Sequence, residues 1–182
     1  LADECRRRGL SVVLGGVHPT LVPDEAACHA DSVVVGYAER SWPELLRDFA
    51  AGRLQPRYNQ GEDYRLENVP IPRRDLLPAG SYFTPHTVEA TRGCNHVCEF
   101  CVVPTAWGGP RQRPVAEVIQ EIRELRPKKL LFLDLNLIAN PDYARELFEA
   151  LAPLGIRWGG LSTIDIAFDE ELLDLAARSG CT

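Results

Sequence analysis

Three cysteines stand within eight positions, in the run Thr91-Arg92-Gly93-Cys94-Asn95-His96-Val97-Cys98-Glu99-Phe100-Cys101. With three and two residues between them, Cys94, Cys98 and Cys101 can supply thiolates to three corners of an iron–sulfur cubane. Such clusters usually take four cysteine ligands, so a set of three leaves one iron with open coordination, which suits chemistry better than electron storage. A structural zinc would also want a fourth ligand, and the nearby candidate is His96. Lying between two of the cysteines, it has poor reach to the same ion, so the ligand spacing favours iron–sulfur over zinc. Three reduced, buried thiols without metal are the bland alternative, and their clustering directly after a strand argues against it. Cys5, Cys28 and Cys181 stand alone. That distribution is not a disulfide framework; it points to a metal site in a reducing compartment, and a cytoplasmic protein is expected.

Polar residues gather at the ends of predicted strands. Phe132-Leu133-Asp134-Leu135-Asn136 places an acid and an amide just past one strand, and Ser162-Thr163-Ile164-Asp165 does the same after the next. In parallel α/β folds the C-terminal ends of the strands face the ligand. The competing reading of these groups is turn hydrogen bonding. Near the start of the chain, Gly15-Gly16-Val17-His18-Pro19-Thr20 follows an apolar run, and paired glycines let a ligand approach the backbone closely. His18 reads equally as a loop histidine bonded to backbone.

The elements that must carry these residues read as two α/β regions. Positions 2–8 look like a helix tail closed by Gly9. Leu10 to Leu14 and Ser32 to Val35 read as buried strands, with a helix opened by Pro23 between them. A further helix runs from Trp42 to Ala51, with Ser41 as its cap and Glu44 completing a capping box. The order α-β-α-β-α indicates a parallel sheet. Residues 53–86 are broken by Pro56, Pro70, Pro72, Pro78 and Pro85 and read as an inter-domain connection, packed because it carries Tyr58, Tyr64, Leu66, Leu76 and Tyr82. Then come a strand over Thr87 to Thr91, a helix from Pro114 with Val115, Val118, Ile119 and Ile122 on one face, and a buried strand over Lys129 to Asp134. A helix from Pro141 to about Ala152, a strand over Ile156 to Leu161 and a helix over Asp169 to Ser179 complete the pattern. Three β-then-α units cannot close a barrel, which takes about eight. The chain has no Met and opens inside a helix, so a fragment is expected.

Of the 182 residues, 45% are hydrophobic and 25% charged, an ordinary globular composition. A net charge of −6 gives no electrostatic reason to expect nucleic acid or an anionic membrane surface. No apolar run approaches the ~20 residues needed to span a bilayer.

The Cys-x3-Cys-x2-Cys run, with Phe100 before its last cysteine, resembles the signature of the radical S-adenosylmethionine superfamily. The flanks Ala90-Thr91-Arg92-Gly93 and Arg111-Gln112-Arg113-Pro114-Val115 agree, and the resemblance covers about residues 87–182. It implies a 4Fe-4S cluster whose open iron chelates the amino and carboxylate groups of S-adenosylmethionine. Reductive cleavage would then give methionine and a 5′-deoxyadenosyl radical, with the electron coming from a flavodoxin or ferredoxin-type donor. It further implies that Phe100 lies by the adenine and that Asp134, Asn136, Ser162 and Asp165 hold the cofactor or the substrate. Relatives commonly carry a second acid where this chain has Leu135.

Residues 1–52 resemble the back half of the cobalamin-binding domains that precede such barrels. That likeness implies that Gly15, Gly16, His18, Pro19, Gly36 and Glu39 line the nucleotide tail of cobalamin. Relatives often have a Gly-Glu-Gly-Glu-like loop where this chain has Gly36-Tyr37-Ala38-Glu39. The implied fold is the C-terminal part of a Rossmann-like cobalamin-binding domain (1–52), the connection (53–86), and the first three β/α units of a partial TIM-type barrel (87–182). The implied reaction is methyl transfer to an unactivated carbon or phosphorus of a small-molecule or lipid-like substrate. A radical enzyme of another outcome, such as cyclisation or rearrangement, and an iron–sulfur electron carrier are the alternatives. A methylthiotransferase fits less well, since that class looks to need more cysteines in its leading domain than Cys5 and Cys28.

Overall fold

Ser32-Val33-Val34-Val35 is rich in β-branched side chains and buried along most of its length. In the computed structural model of the protein it becomes the central strand of a three-stranded parallel sheet. The strands are β1 (Val13–Leu14), β2 (Ser32–Val35) and β3 (Arg57–Asn59), with Val13 opposite Ser32 and Val33 opposite Arg57. The structure describes every residue except 62, 63, 79, 81 and 83–85. Pro85, read as one of the breaks in the connection, lies outside the described residues.

Four helices belong with this sheet: α1 (Ala2–Arg7), α2 (Val17–Leu21), α3 (Pro23–Ala27) and α4 (Ser41–Ala50). Pro23 opens α3 as expected, its missing N–H being one that no helix needs at that position. The capping box at Ser41 does not form. Ser41 lies inside α4 and its hydroxyl donates to the Tyr37 carbonyl at 3.3 Å, while Arg40 takes the capping position without a side-chain bond.

The boundary at 52 also moves. β3 falls in the stretch read as a connection, and it is too short to declare itself: only Tyr58 of its three residues is buried. A fifth helix, α5 (Val103–Trp107), packs on α2, and Trp107 stacks on Tyr37 with centroids 5.0 Å apart. One compact unit therefore comprises Leu1–Tyr64 and Phe100–Trp107, and the other Arg65–Glu99 and Gly108–Thr182.

The second unit holds β4 (Thr87–Val88), β5 (Thr91–Arg92), β6 (Arg111–Gln112), β7 (Lys129–Phe132) and β8 (Arg157–Gly159). β4, β7 and β8 form a parallel sheet in that order, with Thr87 opposite Leu131 and Lys129 opposite Arg157. β5 and β6 form a separate antiparallel pair. The strand expected over Thr87 to Thr91 is thus divided. Its ladder ends because the N–H groups of Ala90 and Thr91 turn to the Asp134 carboxylate instead of a neighbouring strand.

Helices α6 (Val115–Leu125), α7 (Pro141–Leu151) and α8 (Glu170–Arg178) cover one face of the parallel sheet. Val118, Ile122, Leu130, Phe132, Leu147, Phe148 and Leu172 form its core around Trp158, which meets Phe132 edge-on at 5.5 Å. α7 begins where the sequence says it should. Asn140 Oδ1 accepts from the N–H groups of Asp142 and Tyr143, and Pro141 occupies the first turn. β7 alternates: Leu130 and Phe132 enter the core, whereas Leu131 and Leu133 stand exposed on the other face.

One carboxylate lies inside the apolar stripe of α6. Glu121 is 1% exposed, and it accepts from Arg113 Nη1 and Arg74 Nη2, each at 2.7 Å. Arg113 also donates to the Glu89 carbonyl and Arg74 to the Thr87 carbonyl. The triad fastens residues 74 and 113 to the start of the sheet.

Candidate metal centre and cofactor loops

The cysteine loop hangs from a fixed point. Asp134, just past β7, is 1% exposed, and its two oxygens accept from the N–H groups of Ala90 and Thr91. Burial pushes its carboxyl up to about 6, against the pull of the hydrogen bonds from Thr91 and Ala90. The carboxylate that the resemblance assigns to the cofactor or substrate also holds the backbone that leads into the loop. Two residues further on, Gly93 has φ +82°. A Cβ there would stand 2.5 Å from the Gly109 carbonyl oxygen and 2.9 Å from that of Gly108. Only glycine makes that turn.

Beyond it, Cys94 is half-buried and Cys98 exposed, while Cys101 is half-buried in the segment that groups with the first unit. All three are free thiols. Among the described residues, no three His, Cys, Asp or Glu side chains are gathered to hold a metal ion. The donor set itself fits a three-thiolate group. The His96 N–H donates to Cys94 Sγ at 3.5 Å, and hydrogen bonds to sulfur are one of the means by which proteins tune iron–sulfur clusters. The His96 ring is engaged elsewhere, its Nε2 lying 3.0 Å from Asp165 Oδ2. Phe100 is 90% exposed and therefore not a core aromatic.

The two strand-end clusters are drawn to the same loop. Asn136 is buried; its Nδ2 donates to Asn95 Oδ1 at 3.1 Å and its Oδ1 accepts from the Thr163 N–H at 3.3 Å. Asp165 accepts from Thr163 Oγ1 at 2.9 Å as well as meeting His96. Ser162 is exposed beside them. Asn95 and Thr163 did not stand out in the sequence as site residues. A polar pair, Asn95-His96, between two of the clustered cysteines was the signal that could have found them.

In the first unit, β1 and β2 are adjacent and parallel, so their following loops share one end of the sheet. The Gly36 N–H donates to Thr20 Oγ1 at 2.9 Å, which ties the segment Gly15–Thr20 to the segment Gly36–Glu39. Gly16 has φ +100°, and a Cβ on it would meet nothing within 4 Å. His18 is exposed on α2, with Nε2 3.6 Å from Glu25 Oε1, and Pro19 is buried. Glu39 is half-buried.

Comparisons with known proteins bear on these loops. Residues 88–182 match the Radical SAM superfamily. Bacteriochlorophyllide d C-12(1)-methyltransferase of Chlorobaculum tepidum is 34% identical across 100% of this chain and 42% of its own length. Bacteriochlorophyllide d C-8(2)-methyltransferase of the same organism is 40% identical over 59% of this chain and 25% of its own length. Among solved structures, the radical S-adenosylmethionine methyltransferase TsrM from Kitasatospora setae, with cobalamin and a 4Fe-4S cluster bound, has a similar fold. Its TM-score is 0.74 at 20% identity, over 99% of this chain and 43% of TsrM. The chain spans less than half the length of these relatives. The matched residues make up just over half of the 182 and take in the whole cysteine loop with Asp134, Asn136 and Asp165; the chain belongs to the radical SAM superfamily.

Proposed function

We propose that this chain is part of a cobalamin-dependent radical S-adenosylmethionine methyltransferase. In this reading residues 1–52, extended by β3, are the C-terminal part of a Rossmann-like cobalamin-binding domain, and residues 87–182 are the first three β/α units of a TIM-type barrel. The observation that carries it is the placement of three free thiols just after β5, which follows the first strand of the parallel sheet, within the span that matches the superfamily. Ligands in such folds bind at that strand end.

Cys94, Cys98 and Cys101 would hold the 4Fe-4S cluster, Gly93 and Asp134 would set the loop that carries them, and Phe100 would lie by the adenine. When bound, the cluster and S-adenosylmethionine supply radical chemistry and cobalamin supplies the methyl group. Gly15 and Gly16, with Gly36, Glu39, His18 and Pro19 around them, would let the cobalamin tail approach the backbone. The methyltransferase names of the relatives, and the cobalamin of TsrM, support this reading. The substrate would be a small or lipid-like molecule, methylated at carbon or phosphorus, and the electron would come from a flavodoxin or ferredoxin-type partner. Among the described residues no helix is long and apolar enough to cross a membrane; free thiols suit a reducing cytoplasm.

Three measurements test the reading. The reduced cluster of the protein that carries this chain should change its electron paramagnetic resonance spectrum when S-adenosylmethionine is added, because the open iron gains ligands. Turnover should yield deoxyadenosine together with a methylated product. An unchanged spectrum at saturating S-adenosylmethionine would leave an electron carrier; deoxyadenosine without methylation would leave cyclisation or rearrangement.

The third measurement is retention of cobalamin through gel filtration. Gly16→Val should reduce it, since the new side chain projects into the open space at Gly16 and the backbone there is left-handed. Equal retention by wild type and variant would remove Gly16 from the cobalamin site.

A further inference from the structure

We propose that Asn95 and His96 are positioning residues that fix the cysteine loop, and that Asn136 and Asp165 act through them rather than on S-adenosylmethionine. This rests on the cluster reading above. The Asn95 side chain is held at both ends: Oδ1 accepts from Asn136 Nδ2 at 3.1 Å and Nδ2 donates to the Ala139 carbonyl at 3.3 Å. The buried amide of Asn136 is in turn held by the Thr163 N–H. Each polar end of Asn136 thus meets a protein group. Beside it, Asp165 Oδ2 meets His96 Nε2 at 3.0 Å and Thr163 Oγ1 at 2.9 Å. One connected set of hydrogen bonds therefore joins the residues between Cys94 and Cys98 to the loops after β7 and β8.

The physical consequence concerns ordering. A free loop must lose backbone and side-chain entropy when its thiolates close on a metal. Pegging the two residues between Cys94 and Cys98 removes part of that cost beforehand. It also keeps a dissociated thiolate near its iron, so that it rebinds before the iron escapes. The pegs act on the holding of the cluster, and their effect is present without S-adenosylmethionine. A direct cofactor ligand has the opposite signature: it changes S-adenosylmethionine affinity and leaves a cofactor-free cluster as stable as before.

The test uses the protein that carries this chain, reconstituted anaerobically with iron and sulfide. The readout is the rate of iron release to a ferrous chelator with no S-adenosylmethionine present. Asn95→Ala and Asn136→Ala each remove two hydrogen bonds and should each speed release by on the order of tenfold. The double variant should be little faster than either single one, because both remove the same contact. Asn95→Asp keeps an acceptor for Asn136 but sets a carboxylate oxygen against the Ala139 carbonyl, so its release should also be faster than wild type. If Asn136→Ala does not fold, the two Asn95 variants decide the matter, since Asn95 is exposed. Wild-type release rates in the Asn95 variants overturn the proposal. So do wild-type rates in Asn136→Ala with weakened S-adenosylmethionine binding, which would make Asn136 a cofactor ligand. A wild-type protein that takes up no iron refutes the cluster reading beneath it, a result distinct from any variant difference.

Discussion

Replacing Cys94, Cys98 or Cys101 with Ala is expected to abolish the visible absorption at about 400 nm that anaerobic reconstitution gives the wild type, with loss of bound iron and sulfide. The effect is all-or-none because a three-thiolate set is already one short of the usual four, and two thiolates leave half of the irons without a protein ligand. Cys5→Ala, Cys28→Ala and Cys181→Ala should leave absorption and iron content unchanged. Each of these residues is accounted for elsewhere. Cys5 belongs to α1, and Cys28 donates its S–H to the Asp24 carbonyl at 3.4 Å. Burial pushes the Cys181 thiol up, away from the thiolate that binds metal. Stoichiometric zinc without iron uptake in anaerobic preparations would sink the assignment, as would a cluster that survives loss of Cys98.

Glu121→Ala should be the most damaging change outside the cysteines. It strips the partner from two arginines at once, and Arg113 is almost fully buried. Breaking a buried ion pair by removing one member costs about 3–5 kcal/mol, because the other charge is left without compensation. Against a whole-domain stability of roughly 5–15 kcal/mol, that is enough to melt the second unit near physiological temperature. Denaturant titration of the variant should show the midpoint falling steeply. Asp174→Ala, which removes an exposed pair with Arg178, should leave it nearly in place. A Glu121→Ala midpoint within error of wild type would mean that the triad carries no net stability.

The cysteine loop, the Pro23 and Pro141 helix starts and the buried strand β2 were legible in the sequence because each depends on a local property: ligand spacing, a ring-fixed φ, or a run of β-branched side chains. Asn140 could likewise be placed by its position before a proline. What was not legible depends on distant partners. The division of Thr87 to Thr91 is caused by Asp134, more than forty residues on, and nothing within the strand announces it. β3 is three residues long and owes its place to pairing with β2. α5 follows the cysteines directly, yet its packing on α2 and the Trp107–Tyr37 stack tie it to the first sheet. Ser41 had a capping signature, but a nearby carbonyl took its hydroxyl. Glu121 was the one long-range feature with a local clue, a carboxylate three residues after Val118 on a face otherwise apolar.

Leu131 and Leu133, on the face of β7 turned away from the helices, are joined in exposure by Leu135, Leu161, Ile164 and Phe168. A helix-covered parallel sheet normally hides both sides; here one side meets water. Colloidal behaviour follows from that. A polypeptide limited to these 182 residues carries a greasy sheet face through every step of handling, and in concentrated solution such surfaces find each other. Crowded, unchaperoned preparations of the isolated segment would tend toward clumping even where each copy is correctly folded, with detergents and low protein concentration as the natural remedies.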